Sequence, residues 1–165
     1  MAKHMNYLAF RKKLLPQLAF FGVANLETVA VFREPIDWLH SWYCYRKKLS
    51  RRGKSGHVAD YLDAEIDFNI FVEAYLQENP PAFAGVGQQS RFVADKSGAC
   101  AIDHLFKFTN LTGLQAFFAS RLGSEFLFLP SNISDQIPIE LSPDLRCALV
   151  QKFNPDYDIY ESIAR

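Results

Sequence analysis

Three observations predict an α/β layered fold for this chain. The run Thr28-Val-Ala-Val-Phe32 is rich in β-formers and does not alternate, the pattern of a strand buried on both faces. Helical periodicity starts at Pro35, so strand and helix are joined by a tight turn. A second strand candidate, His104–Phe108, lies among further helical segments, and strands mixed with helices favour stacked α/β layers.

Each element has its own signal. Residues 7–21 read as helix, with Tyr7, Phe10, Leu14, Leu18 and Phe21 recurring at helical spacing. Pro16 kinks this helix or opens a second piece of it, and Gly22 suits its end. Pro35 opens a helix running to about Lys48, with Ile36, Leu39, Trp42 and Tyr43 on one side. Residues 50–57 shift to Ser, Gly, Lys and Arg, an exposed loop composition. Phe68, Phe71, Val72, Tyr75 and Leu76 define an amphipathic helix before Asn79-Pro80-Pro81. Leu111–Leu122 is helical and closed by Gly123, and Phe126–Leu129 reads as a strand or a buried turn. Ser142-Pro143 and Asn154-Pro155 each pair an N-cap with a proline and open two C-terminal helices, so the second half is helix-rich.

The length of 165 residues suits one domain, 1–165, able to bury about two-thirds of its unfolded surface. Ordinary apolar and charged fractions, 49% and 22%, exclude collagen, wholesale disorder and a disulfide scaffold. No apolar run approaches the roughly 20 residues of a membrane span, and Met-Ala-Lys-His-Met-Asn lacks a signal-peptide core. A cytoplasmic protein with no membrane partner is expected. Cys44, Cys100 and Cys147 have no metal-site spacing and read as buried free thiols in a reducing compartment. Net charge is zero, yet residues 1–54 carry +8 and residues 55–165 carry −8. A basic half of this kind suits an anion bound at a local site.

The segment of most interest is the strand–Arg33-Glu34-Pro35–helix unit. In open α/β sheets, ligands gather outside the carboxyl ends of strands, close to helix N-termini. Arg33 stands at that place with a planar fork suited to phosphate oxygens, and Ser41 in the next helix offers a hydroxyl. On these grounds alone, Arg33 is equally an ion-pair partner within the fold.

Val31-Phe-Arg33-Glu-Pro35, with Ser41-Trp-Tyr43 downstream, resembles the 3′-phosphate-binding strand and helix of P-loop-type sulfotransferases. These use 3′-phosphoadenosine 5′-phosphosulfate (PAPS). The resemblance implies a partial sulfotransferase-like parallel sheet flanked by helices, with Arg33 and Ser41 as ligands of the 3′-phosphate. Lys3-His4-Met5 is similar to the family's Lys-(Thr)-His-(Leu/Met)-Pro segment, although Asn6 stands where the family often has proline. It implies His4 as the base that takes the acceptor's proton and Lys3 as the stabiliser of negative charge on the transferring group. Leu129-Pro-Ser-Asn132-Ile-Ser134 and Asp156-Tyr157-x-x-Tyr160 resemble the family's later Leu-Pro-x-x-Asn-x-Ser and Asp-Tyr-x-x-Tyr stretches. The family's 5′-phosphosulfate loop, Pro-Lys-x-Gly-(Thr/Ser)-(Thr/Ser), has no counterpart before Lys3. An N-terminally truncated protein, a start assigned at an internal Met, or a missing part supplied by another chain is the expectation, and in a true truncation loss of the loop would weaken donor binding and transfer.

Other motifs carry less. Arg52-Gly53-Lys54-Ser55 ends like a nucleotide loop, but Lys48 occupies the place of its first glycine and a helix precedes it. Gly85-x-Gly87-x-x-Ser90 lacks a third glycine, and Asp63-x-Glu65-x-Asp67 lacks the Gly and Glu of a calcium loop, so no metal is expected. Asn110-Leu-Thr112 and Asn132-Ile-Ser134 match a glycosylation sequon without a secretory signal to give it meaning. His40, His57 and His104 have no ligand partner at useful spacing. Arg46, Lys47, Lys48, Arg51, Arg52 and Lys54 read first as a solvated helix end and loop. An acceptor-facing patch is a further reading of this run, whereas aromatics are not interleaved with the charges, which argues against nucleic acid.

The resemblance therefore implies a sulfuryl transferase acting on a hydroxyl or amine of a small molecule or glycan. The alternative is a non-catalytic remnant that binds a nucleotide or a protein, with a second copy of the chain covering the exposed edge.

Overall fold

The computed structural model describes residues 4–51, 62, 63, 65–129 and 137–164. The elements are mixed α and β, in the order α1 (Tyr7–Ala9), a π-helical turn (Phe10–Leu14), α2 (Leu15–Phe20), β1 (Val29–Phe32), α3 (Pro35–Arg51) and α4 (Phe68–Leu76), then α5 (Ser90–Val93), β2 (His104–Lys107), α6 (Leu111–Leu122), α7 (Pro143–Lys152) and α8 (Asn154–Ser162). They divide into two compact units. One comprises Met1–Glu34, Gln88–Leu127 and Pro155–Arg165; the other comprises Pro35–Gly87 and Phe128–Asn154. Among the described residues no helix is long and apolar enough to cross a membrane.

The first unit contains the sheet. β1 and β2 pair in parallel, in register from Val29↔His104 to Phe32↔Lys107. Side chains fix the start of the ladder: Asp103 accepts from the N–H and hydroxyl of Thr28, each at 2.7 Å, and these bonds hold its carboxyl below its ordinary range. The π turn ends at Leu14, two residues before Pro16, and lets the chain enter α2 where proline has no N–H to give. Gly22 follows with φ of +78°, a stop that its missing Cβ makes cheap. The core gathers Phe32, Val93, Ile159 and Ile163, with Ala30, Ile102, Leu105 and Tyr160 packed against them. α6 begins at the Asn110 cap, whose side chain accepts from Gly113, and lays Phe117 against Phe106 of β2.

Helices make the second unit. α3 and α4 bury Ile36, Leu39, Tyr43, Phe68, Phe71, Val72 and Tyr75, and α7 adds Leu149. Ring centroids 5.4 Å apart for Tyr43 and Phe68, and 5.6 Å for Tyr75 and Phe153, show where the aromatic wealth of the sequence is spent. Asp67 caps α4 through Ile70 N–H, and Ser142 caps α7 through Leu145 N–H.

Three expectations are corrected. β1 is not buried on both faces: Val31 is 39% exposed, because a two-stranded sheet leaves that side open among the described residues. Residues 126–129 form neither a strand nor a buried turn. Leu127 and Leu129 are 72% and 84% exposed, and no described strand lies beside them to supply hydrogen bonds. Of the thiols, Cys44 is buried but Cys100, at an isolated bridge with Ala94, and Cys147, on α7, are exposed.

Candidate functional site

Arg33 is the first residue beyond the β1 ladder, at its carboxyl end. The peptide after its strand partner pairs onto β1 through Phe108 N–H to Phe32 C=O, at 2.8 Å. That bond brings Phe108 alongside, and the Arg33 guanidinium carbon lies 4.9 Å from the Phe108 ring centre. Among the described residues the guanidinium has no hydrogen bond and no carboxylate partner, and its Nε is buried without any acceptor. Leaving a buried charged donor unmatched costs roughly 1–3 kcal/mol or more. An ion-pair role within the fold, one of the two readings open from the sequence, therefore finds no partner here. The neighbouring carboxylate, Glu34, is engaged by the hydroxyl of Tyr157.

The Asp156-Tyr157-x-x-Tyr160 stretch ties α8 to this corner. Asp156 is fully buried and accepts from the Ser90 N–H at 3.0 Å and its hydroxyl at 3.1 Å. The Tyr160 ring sits 4.6 Å from the ammonium of Lys107, the last residue of β2. Burial raises the Asp156 carboxyl above the usual aspartate range, against the opposing pull of the two Ser90 bonds, the Gln89 backbone and the Arg91 charge.

The native state thus holds the Asp156 proton more tightly than the unfolded chain does, so this group subtracts stability as pH rises from about 3.9 through the raised value. Asp156→Asn keeps an acceptor for the Ser90 N–H and offers an amide to the hydroxyl. Urea midpoints measured between pH 4 and 7 should fall more with rising pH, or rise less, in the wild type than in the variant. The same pH dependence in both proteins would exclude a contribution from Asp156.

His4 is exposed, at the bend leading into α1. Asn6, at the family's proline position, caps α1 by accepting from Ala9 N–H at 2.9 Å, so this chain starts the helix by a different device. Lys3 and the stretch 130–136, with Asn132 and Ser134, lie outside the described residues. Ser41 is half-buried on α3, in the second unit.

Of the basic run, Arg46 and Lys47 are buried rather than solvated. Arg46 donates to Ala82 C=O at 2.7 Å, and Lys47 donates to Asp63 C=O at 2.8 Å. Their charges are spent on carbonyls of the second unit's own loops, which removes them from any substrate- or nucleic-acid-facing patch. Arg52 and Lys54 lie outside the described residues.

His40 also has a fold role: its Nε2 meets Ile137 C=O at 2.8 Å and Cys44 Sγ at 3.2 Å. The ring nitrogen that donates its proton to the carbonyl has no lone pair left to take one from the thiol, so the pair is no nucleophile–base unit. Among the described residues no group of His, Cys, Asp or Glu side chains converges to hold a metal.

Sequence reasoning missed two residues at this corner, Gln89 and Phe108. Neither belongs to a motif, and their nearness to Arg33 comes from pairing between segments 56 and 75 residues apart. Comparison with family models, with curated proteins and with solved structures finds no match.

Proposed function

We propose that the chain is a sulfotransferase-like nucleotide-binding protein whose Arg33 takes the 3′-phosphate of PAPS, or of the product 3′-phosphoadenosine 5′-phosphate (PAP). The observation that supports this most is the buried, unmatched Nε of Arg33 beside a guanidinium with no carboxylate partner among the described residues. A terminal phosphate supplies what that group lacks, a charged acceptor able to take two donors side by side. Ser41 is assigned the second contact by the sequence resemblance.

When bound, PAPS supplies an activated sulfuryl group. His4 is assigned the proton of the acceptor hydroxyl or amine, which a neutral imidazole can take near pH 7. Lys3 is assigned the stabilisation of the charge that builds on the transferring oxygens. No metal enters this reading, and a cytoplasmic location belongs to it.

A second reading, a protein-interaction module, draws on an open groove of about 520 Å³ beside β1, lined by Met5, Phe10, Leu18, Val29, Phe92 and Ile102. Self-association seen by sedimentation in a chain indifferent to nucleotide would favour it.

A thermal-shift titration with PAP, using 5′-AMP as control, tests the leading reading. At 100 times its dissociation constant a ligand adds about 2.7 kcal/mol of stability. A shift of several degrees with PAP and none with 5′-AMP is expected. Equal shifts with both would remove the 3′-phosphate from the proposal, and no shift with either would remove the nucleotide.

A further inference from the structure

Arg33 is held by two mounts, and neither is a strand. Its N–H donates to Gln89 Oε1 at 3.0 Å, and its C=O accepts from Gln89 Nε2 at 2.9 Å. One primary amide thus reproduces the donor and acceptor that a neighbouring strand would offer to the same peptide. The ladder with β2 cannot do this, because its last paired residues are Phe32 and Lys107. Gln89 is itself fixed from behind, since the next residue, Ser90, gives its N–H and hydroxyl to the fully buried Asp156. The second mount is Phe108, whose ring lies under the guanidinium carbon at 4.9 Å.

The two mounts act on one residue, Gln89 on its main chain and Phe108 on its side chain, whose Nε is buried and unmatched. A mobile Arg33 would swing that nitrogen into water and regain its hydrogen bond, so holding it inward needs a rigid main chain and a platform under the fork.

We propose that Gln89 and Phe108 are positioning residues for the anion site at Arg33, and that selectivity for a ligand with a terminal 3′-phosphate depends on both. The inference rests on reading Arg33 as a phosphate ligand. Gln89 sets where the side chain leaves the backbone, and Phe108 sets the plane of its two terminal N–H pairs. An arginine without this support still attracts anions by charge but no longer presents a fixed fork to two oxygens of one phosphate.

The test compares dissociation constants for PAP and 5′-AMP, by calorimetry, on the full 165-residue chain. The variants are Gln89→Met, which keeps the stem and loses the amide, Phe108→Leu, which loses the ring, and Phe108→Trp, which keeps a π face. The ratio of the two constants is the readout, because a general loss of folded protein lowers both affinities without changing it. Gln89→Met and Phe108→Leu are each expected to cut the preference for PAP about tenfold, as loss of one charge-assisted contact does, with Phe108→Trp retaining it.

Phe108 is 46% exposed, so its variants keep the test decisive even where Gln89→Met folds poorly. A wild-type ratio in Phe108→Leu and in folded Gln89→Met, while Arg33→Ala abolishes the preference, would overturn the positioning role and leave the phosphate reading standing. A wild-type chain with no preference for PAP, or an Arg33→Ala variant that keeps it, would overturn both.

Discussion

Replacing Arg33 by alanine is expected to weaken PAP binding by about 30- to 150-fold and to leave folding stability unchanged or slightly raised. The binding loss corresponds to roughly 2–3 kcal/mol for a charge-assisted pair of contacts. The stability side follows from what the side chain does without ligand. The contact it makes with the Phe108 ring is worth about 0.5–1 kcal/mol at a partly exposed site. Against that stands the buried Nε with no acceptor, whose removal relieves roughly 1–3 kcal/mol. Most truncations at partly buried positions destabilise, so a variant that loses ligand while keeping its melting temperature would mark Arg33 as a binding group. Calorimetry with PAP and a thermal scan without nucleotide make the two measurements. A fall of many degrees in the scan would instead show that Arg33 holds the fold.

The adjacent residue should behave in the opposite way. Phe32→Ala is expected to cost about 3–5 kcal/mol, because Phe32 is 1% exposed and its ring fills the core between Val93, Ile159 and Ile163. Domains of this size are stable by only about 5–15 kcal/mol, so the change removes a large part of the total. Val31→Ala is the control: that side chain is 39% exposed on the open side of the sheet and should cost well under half as much. Urea unfolding followed by circular dichroism gives both values, and similar midpoints for the two variants would refute this placement of the core. Binding should weaken in Phe32→Ala only as far as folded protein is lost. This separates a residue that carries the site from one that touches the ligand.

Much of the secondary structure was legible because its signals are local. The Ser142-Pro143 pair, the Leu111–Leu122 periodicity closed by Gly123, and the proline that opens α3 each act within one helical turn. β1 was found for a similar reason, as a short run of β-formers, and β2 matches the strand candidate at His104–Phe108. Residues 126–129 failed because an apolar run can show that a segment tolerates a strand but cannot supply the partner that makes it one. Arg46 and Lys47 failed for a related reason. Their charge suggested solvent, while the carbonyls of Ala82 and Asp63, distant in sequence, took them inside.

At the candidate site the division is sharper. The sequence by itself determined that an arginine would stand at the carboxyl end of a strand, immediately ahead of a proline-opened helix, because strand, turn and cap are short-range choices. Only the tertiary structure decided what surrounds that arginine: the amide of Gln89 on its main chain, the ring of Phe108 under its fork, the buried Asp156 behind them, and no carboxylate partner among the described residues. Whether an arginine serves as an ion-pair partner or an anion ligand depends on which charges come within a few ångströms of it. That distance is set by chain segments brought together on folding, which no local pattern encodes.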